Sequence, residues 1–126
     1  MAQKILIEIE GEKLEAELND TPQAKVVAQA LPIESSIKTW GDEIYFSAGL
    51  RISVDDILTT NVQIGDLGYW PEGDCLCIFF GPTPMSTSDK PVPASGVFIV
   101  GKLLSDPKKC KALKKAKKIK WLAENE

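Results

Sequence analysis

Apolar and polar residues alternate from the start of the chain. Lys4 to Ile9 alternates, Gly11-Glu12 turns, and Lys13 to Leu18 alternates again, with Leu14, Ala16 and Leu18 on one side and Lys13, Glu15 and Glu17 on the other. A period of two, with charge opposite the apolar set, predicts an antiparallel hairpin with one face in water. The period then changes. Val26, Val27, Ala30 and Leu31 recur at helical spacing, Asp20 or Thr21 stands where a cap belongs, Pro22 suits the first helical position and Pro32 ends the run. The stripe of this short helix is expected to plug one end of a sheet or barrel.

Pro32 to Trp40 reads as a strand, Gly41-Asp42 as a two-residue hairpin loop with glycine first, and Glu43 to Ser47 as the returning strand. Ile44 and Phe46 share one face of it, and Glu43, Tyr45 and Ser47 the other. Ala48 to Ser53 continues irregularly, with Gly49 as a bulge or bend, and Val54 to Asn61 reads as a surface loop. Cys75 to Phe80 is a continuous apolar run of strand length. The turn Pro71-Glu72-Gly73-Asp74 leads into it, and Gly81-Pro82-Thr83-Pro84 stops it, because proline cannot donate to a ladder. Ser86 to Gly96 has loop composition, and Val97 to Leu104 reads as a buried strand kinked at Gly101. Ser105 or Asp106 caps a second helix that starts at Pro107 and turns Cys110, Leu113 and Ala116 inward. Lys118 to Leu122 is read as a closing strand rather than an extension of that helix. Many short strands with two short helices make a mainly β domain, and closure into a small barrel removes its sticky edges.

The length of 126 residues suits one domain, 1–126, with a core of its own. No apolar run nears the roughly 18 residues that cross a bilayer, and the N-terminus lacks the basic start and apolar core of a signal peptide. A cytoplasmic protein without a membrane partner is expected, and an odd count of three cysteines suits a reducing compartment. The absence of histidine removes Ser-His-Asp and Cys-His catalysis and every His-ligated metal site, and the single arginine, Arg51, removes multi-arginine phosphate clamps. Cys75 and Cys77 fall on one strand face, yet a soft metal would need two more ligands, so they read as buried small residues. Asp55, Asp56, Asp66 and Asp74 lack the spacing of a calcium loop. No metal or cofactor is expected. Charge is segregated: sixteen acidic residues face seven basic ones from Met1 to Asp106, and eight lysines face two glutamates from Pro107 to Glu126. The Lys-rich segment 108–120 is the one hint of a nucleic-acid partner. Without arginine, and with Trp121 as the one aromatic of the tail, it reads as solvated or paired with its own domain.

Two segments carry a resemblance. TWGDEIYFS at Thr39 to Ser47 and GDLGYWPEGDCLCIFFGPTPMS at Gly65 to Ser86 closely resemble signatures of the small cyclophilin-like proteins of archaea and bacteria. The likeness extends to the N-terminal hairpin, the first helix, and Pro93-Ala94-Ser95 through Gly101-Lys102, most of residues 3 to 104. It implies a closed eight-stranded antiparallel cyclophilin-like barrel capped by two short helices, and no established activity. Classical cyclophilins are prolyl isomerases marked by a Phe-His-Arg segment and a Gln-x-Gly-Gly-Asp-like run, and neither occurs here.

Three functions stay open at this point. The first is the binding of a peptide or small molecule in a groove beside the barrel. Tyr45, Trp70, Phe80 and Met85 would line it, Thr83 and Ser86 would supply polar groups, and Gly81 to Pro84 would form a rigid rim. Trp40, Phe46, Trp70 and Phe79 have barrel core as their competing role. The second is a divergent prolyl isomerase in which Arg51, permanently charged, stabilises the twisted amide. The third is a subunit of a larger assembly, since cyclophilin-like barrels resemble parts of amide-hydrolysing complexes.

Overall fold

The structure, a computed structural model, describes residues 3–53 and 56–124, so Val54 and Asp55 of the expected surface loop lie outside the described residues. The chain runs β1 (Gln3–Ile9), β2 (Glu12–Leu18), α1 (Pro22–Ala30), β3 (Ile33–Ser36), β4 (Lys38–Thr39), β5 (Glu43–Ser47), β6 (Asp66–Trp70), β7 (Cys75–Phe79), β8 (Phe98–Leu103), a 3₁₀ helix (Pro107–Leu113) and β9 (Lys118–Ala123). Among the described residues the nine strands form one antiparallel sheet in the order β3-β9-β1-β2-β8-β6-β7-β5-β4.

The two ends of that order are one stretch of chain. β3 pairs with β9, from Ile33 opposite Trp121 to Ser36 opposite Lys118, and β4 pairs with β5, Lys38 opposite Tyr45. Ile37 sits between them, its N–H donating to the Lys117 carbonyl at 2.9 Å. The single strand expected from Pro32 to Trp40 therefore serves both edges and closes the sheet into a barrel, which is how eight expected strands become nine segments. The tail continues as strand β9 from Lys118.

Alternation places the barrel core. Ile5, Ile7 and Ile9 of β1 and Leu14, Ala16 and Leu18 of β2 are buried, joined by Ile44, Phe46, Leu67, Tyr69, Leu76, Ile78, Val100 and Trp121. Phe46 and Trp121 meet edge to face at 5.4 Å. α1 begins as its composition dictates: the Thr21 hydroxyl accepts from the Ala24 N–H at 3.2 Å, and Ala24 and Val27 pack on the core. Cys110 of the 3₁₀ helix joins the same cluster.

A second apolar layer lies outside the barrel. β7 is buried on both faces, which is why its sequence does not alternate. Leu76 and Ile78 point into the barrel, whereas Cys77 and Phe79 pack with Val62 and Val97 in a separate cluster flanked by Tyr45, Trp70 and Ile99. Thr59 and Val97 exchange two backbone hydrogen bonds at 2.9 Å, which holds the covering chain in place. Phe79 and Trp70 thus belong to the outer layer and not to the barrel core. Phe46 stays inside.

The turn before β7 is pinned by one carboxylate. Asp74 accepts from the N–H groups of Leu50 at 3.1 Å and Arg51 at 2.8 Å, and from the buried Tyr69 hydroxyl. Burial pushes the Asp74 carboxyl up, but these donors, Tyr69 foremost, outweigh it and hold the group below its ordinary range. Tyr69 is pushed up to about 12 by burial and by that bond to Asp74. Asp74→Ala is expected to destabilise the protein by about 2–4 kcal/mol in urea denaturation, because a buried phenol and two N–H groups lose their acceptor. Asp74→Asn, which tolerates the positive φ of 52° and retains an acceptor, should cost clearly less.

Candidate functional site

Between the outer face of β5 and the chain that covers it lies a half-open cavity of about 140 Å³, lined by Trp40, Glu43, Tyr45, Trp70, Pro93, Ala94 and Val97. Trp40 ends the β4–β5 hairpin, with its N–H on the Glu43 carbonyl at 3.0 Å, so the hairpin loop itself brings Trp40 beside Glu43. Tyr45 follows two residues along the same face. Its ring stands perpendicular to that of Trp70, at 85° and 6.4 Å between centroids, so the two form adjoining walls.

Trp70 is fixed from two sides. Its indole N–H donates to the Ser95 hydroxyl at 2.6 Å, and that hydroxyl donates to the Glu72 carboxylate at 2.6 Å. Its six-membered ring lies against Gly73, where a Cβ would come within 2.3 Å of it. Only glycine permits that approach, and it lets the turn serve as a backing for the ring. The opposite wall, Pro93 and Ala94, belongs to a loop braced from within. The Thr83 hydroxyl donates to the Val92 carbonyl, and the Ser86 hydroxyl donates to the Lys90 carbonyl at 2.7 Å.

Glu43 is the chemically distinctive group of the cavity. It is 7% exposed, and it stands opposite Phe79 in the β5–β7 ladder. Burial in this apolar layer raises the Glu43 carboxyl from 4.5 to about 7, and the Cys77 thiol lowers it only in part. The Cys77 thiol is held well above its ordinary value, first by its own burial and then by Glu43, which makes it a donor and not a nucleophile. A carboxyl so placed changes charge near neutral pH, inside an aromatic enclosure.

Of the residues expected to form a groove, Tyr45 and Trp70 line this cavity. Phe80 is buried in the barrel core, with an edge at a different depression that also involves Pro82 and Lys111. Thr83 is buried, and it and Ser86 are engaged in bracing the loop. Met85 is 54% exposed and does not line the cavity. Arg51 is exposed in a left-handed conformation, φ 50°, with its N–H on Asp74, and stands outside the cavity lining.

The family model described as cyclophilin-like matches residues 3–121. The chain belongs to the cyclophilin-like family. Among solved structures, the chain is similar to the hypothetical protein AF2241 from Archaeoglobus fulgidus, with 32% identity and a TM-score of 0.79 over 96% of this chain and 94% of that one. McbB in complex with tryptophan shares the fold at 16% identity and a TM-score of 0.70, over 97% of this chain and 45% of McbB. No curated protein matches in sequence.

In this cyclophilin-like chain the two signature segments interlock. The Asp42 N–H donates to the Pro82 carbonyl at 2.9 Å, and the Asp42 carbonyl accepts from Phe80 at 3.0 Å. The Asp42 carboxylate takes Lys114 at 3.1 Å and Lys111 at 3.8 Å, so part of the Lys-rich segment pairs with its own domain. Among the described residues, no helix is long and apolar enough to cross a membrane.

Glu43 is the site residue that sequence reasoning did not single out. Alternation in β5 placed it on the face of Tyr45 and Ser47, opposite Ile44 and Phe46, and the outer layer buries it there. One signal was present. Cys75 to Phe80 is apolar at every position, so the strand has no wet face, and a neighbour paired with it shares that fate.

Proposed function

We propose that this cyclophilin-like protein binds a small organic molecule in the cavity beside the barrel, with an apolar body against Trp40, Tyr45 and Trp70 and a hydrogen-donating or positively charged nitrogen at Glu43. One observation carries this reading: a carboxyl 7% exposed opens onto an aromatic enclosure. A carboxylate so buried destabilises the fold that holds it. A ligand that brings a donor or a cation removes the penalty, and perturbed acids in apolar pockets mark sites for that reason. The braced loop and the pinned indole support a preformed site.

The enclosure is small beside ligand pockets of about 300–1,000 Å³, so it suits one end of a molecule while the rest projects to solvent. Prolyl isomerisation draws no support from the position of Arg51, outside the cavity lining.

Two of the three tryptophans, Trp40 and Trp70, line the cavity, so intrinsic fluorescence is a direct reporter. Titration with a panel of aromatic and aliphatic amines, including tryptophan (the ligand in the McbB structure), is expected to give a saturable change for at least one member. Trp70→Leu should weaken that binding about tenfold or more, and Arg51→Ala should leave it unchanged. A flat response across the panel, with unshifted NMR resonances of Tyr45 and Trp70, would overturn the reading.

A further inference from the structure

The donor and acceptor inventory of the cavity restricts which nitrogen it suits. The lining side chains are three aromatic rings, a proline, an alanine, a valine and Glu43. They carry acceptor oxygens only at the Glu43 carboxyl and the Tyr45 phenol. The Trp70 N–H is committed to Ser95, and Ser95 in turn to Glu72, so neither is a free partner for a ligand. A primary ammonium brings three N–H groups and strong hydration. The rings and aliphatic walls of this enclosure replace none of that hydration, so the cost of stripping it is offset only at the Glu43 carboxyl and the Tyr45 phenol. A quaternary ammonium has no N–H to satisfy. It is suited to aromatic rings with an anion nearby, and Tyr45, Trp70 and Trp40 line the enclosure together with Glu43.

We infer that the cavity recognises a trimethylammonium group, its methyls against Trp40, Tyr45 and Trp70 and its charge balanced by Glu43. This inference rests on the proposal that the cavity is the ligand site. Ligands of this chemistry are free choline-like molecules and the trimethylated lysine side chain. The size of the enclosure, 140 Å³, suits the head group common to both.

The test is a calorimetric titration of the full chain at pH 8 with five probes. These are tetramethylammonium, choline, methylammonium, 3,3-dimethylbutan-1-ol (the neutral isostere of choline) and a short peptide containing trimethyllysine. Tetramethylammonium is expected to bind at least tenfold tighter than methylammonium, and choline at least tenfold tighter than its neutral isostere. Tighter binding of choline than of the peptide assigns the group to a free small molecule, and the reverse order assigns it to a modified lysine. Both orders uphold trimethylammonium recognition. If methylammonium equals or exceeds tetramethylammonium, the inference falls while the cavity remains a cation site. If choline and its isostere bind alike, charge recognition by Glu43 falls. If no probe binds, and the amine panel is also silent, the cavity proposal falls with it.

Discussion

Glu43→Gln is expected to make the unliganded protein more stable and to weaken its ligand binding about a hundredfold or more. The stability gain has a defined pH window. Below pH 4.5 the Glu43 carboxyl is protonated in both folded and unfolded chains and contributes nothing. Between 4.5 and about 7 the folded protein retains the proton and the unfolded chain releases it, so stability falls as pH rises. Above about 7 the full penalty is in place, roughly 3 kcal/mol at 1.36 kcal/mol for each factor of ten. Glutamine mimics the protonated acid, so the variant should match wild type near pH 4 and exceed it by up to roughly 3 kcal/mol at pH 8 in urea denaturation. Asp66 is also raised by burial, while Asp74 is lowered. Both are present in each protein, so the difference between the two curves isolates Glu43. Binding should change in the opposite sense. Loss of the carboxylate opposite a bound cation should weaken affinity about a hundredfold or more, within the 2–5 kcal/mol typical of a truncated buried charge pair. A variant less stable at pH 8, or one that binds as before, would count against a functional role for the residue.

The second large effect is structural. Gly101 lies where β8 pairs with Leu18 of β2 on one side and Leu67 of β6 on the other, beside the register shift between Leu67 and Gly68. A Cβ there would come within 2.1 Å of the Glu17 carbonyl oxygen and 3.0 Å of the Leu18 Cα. These are backbone atoms, so nothing flexible can yield. The β2–β8 ladder spans only Ala16 to Leu18, and its displacement opens the barrel. Gly101→Ala should therefore cost more than about 3 kcal/mol or prevent folding, at the high end of overpacking penalties. A change below about 1 kcal/mol would show that the two strands can separate at little cost.

The elements were legible because each carries a local signature. The 4–18 hairpin shows in alternation, α1 in Thr21-Pro22 and its stripe, and the β4–β5 turn in Gly41-Asp42. The kink read at Gly101 is a place where one strand must pass close to another. Closure was legible in outline, but not the way Ile33 to Thr39 serves two neighbours, because Ile37 looks like any other strand residue. The site was legible in part. Tyr45 and Trp70 are conspicuous in sequence and line the cavity, and Trp40 joins them through hairpin geometry. Thr83 and Ser86 look like polar groups for a ligand, yet their hydroxyls brace the loop they belong to. Glu43 was hidden because alternation within one strand cannot show whether a second layer covers its outer face. That layer is built by chain from Thr59 to Val62 and from Pro93 to Val97, with no periodicity of its own. The lysines at 111 and 114 turn back to Asp42, a pairing across about seventy residues that no local pattern encodes.

The most direct measurement is the titration of the Glu43 side-chain carboxyl by carbon-13 NMR, with and without saturating tetramethylammonium. The expected midpoint is about 7 in the free protein, falling by at least one pH unit when the cation is bound. A free-protein midpoint near the ordinary 4.5, or a midpoint unmoved by the cation, contradicts a buried acid that waits for a positive ligand.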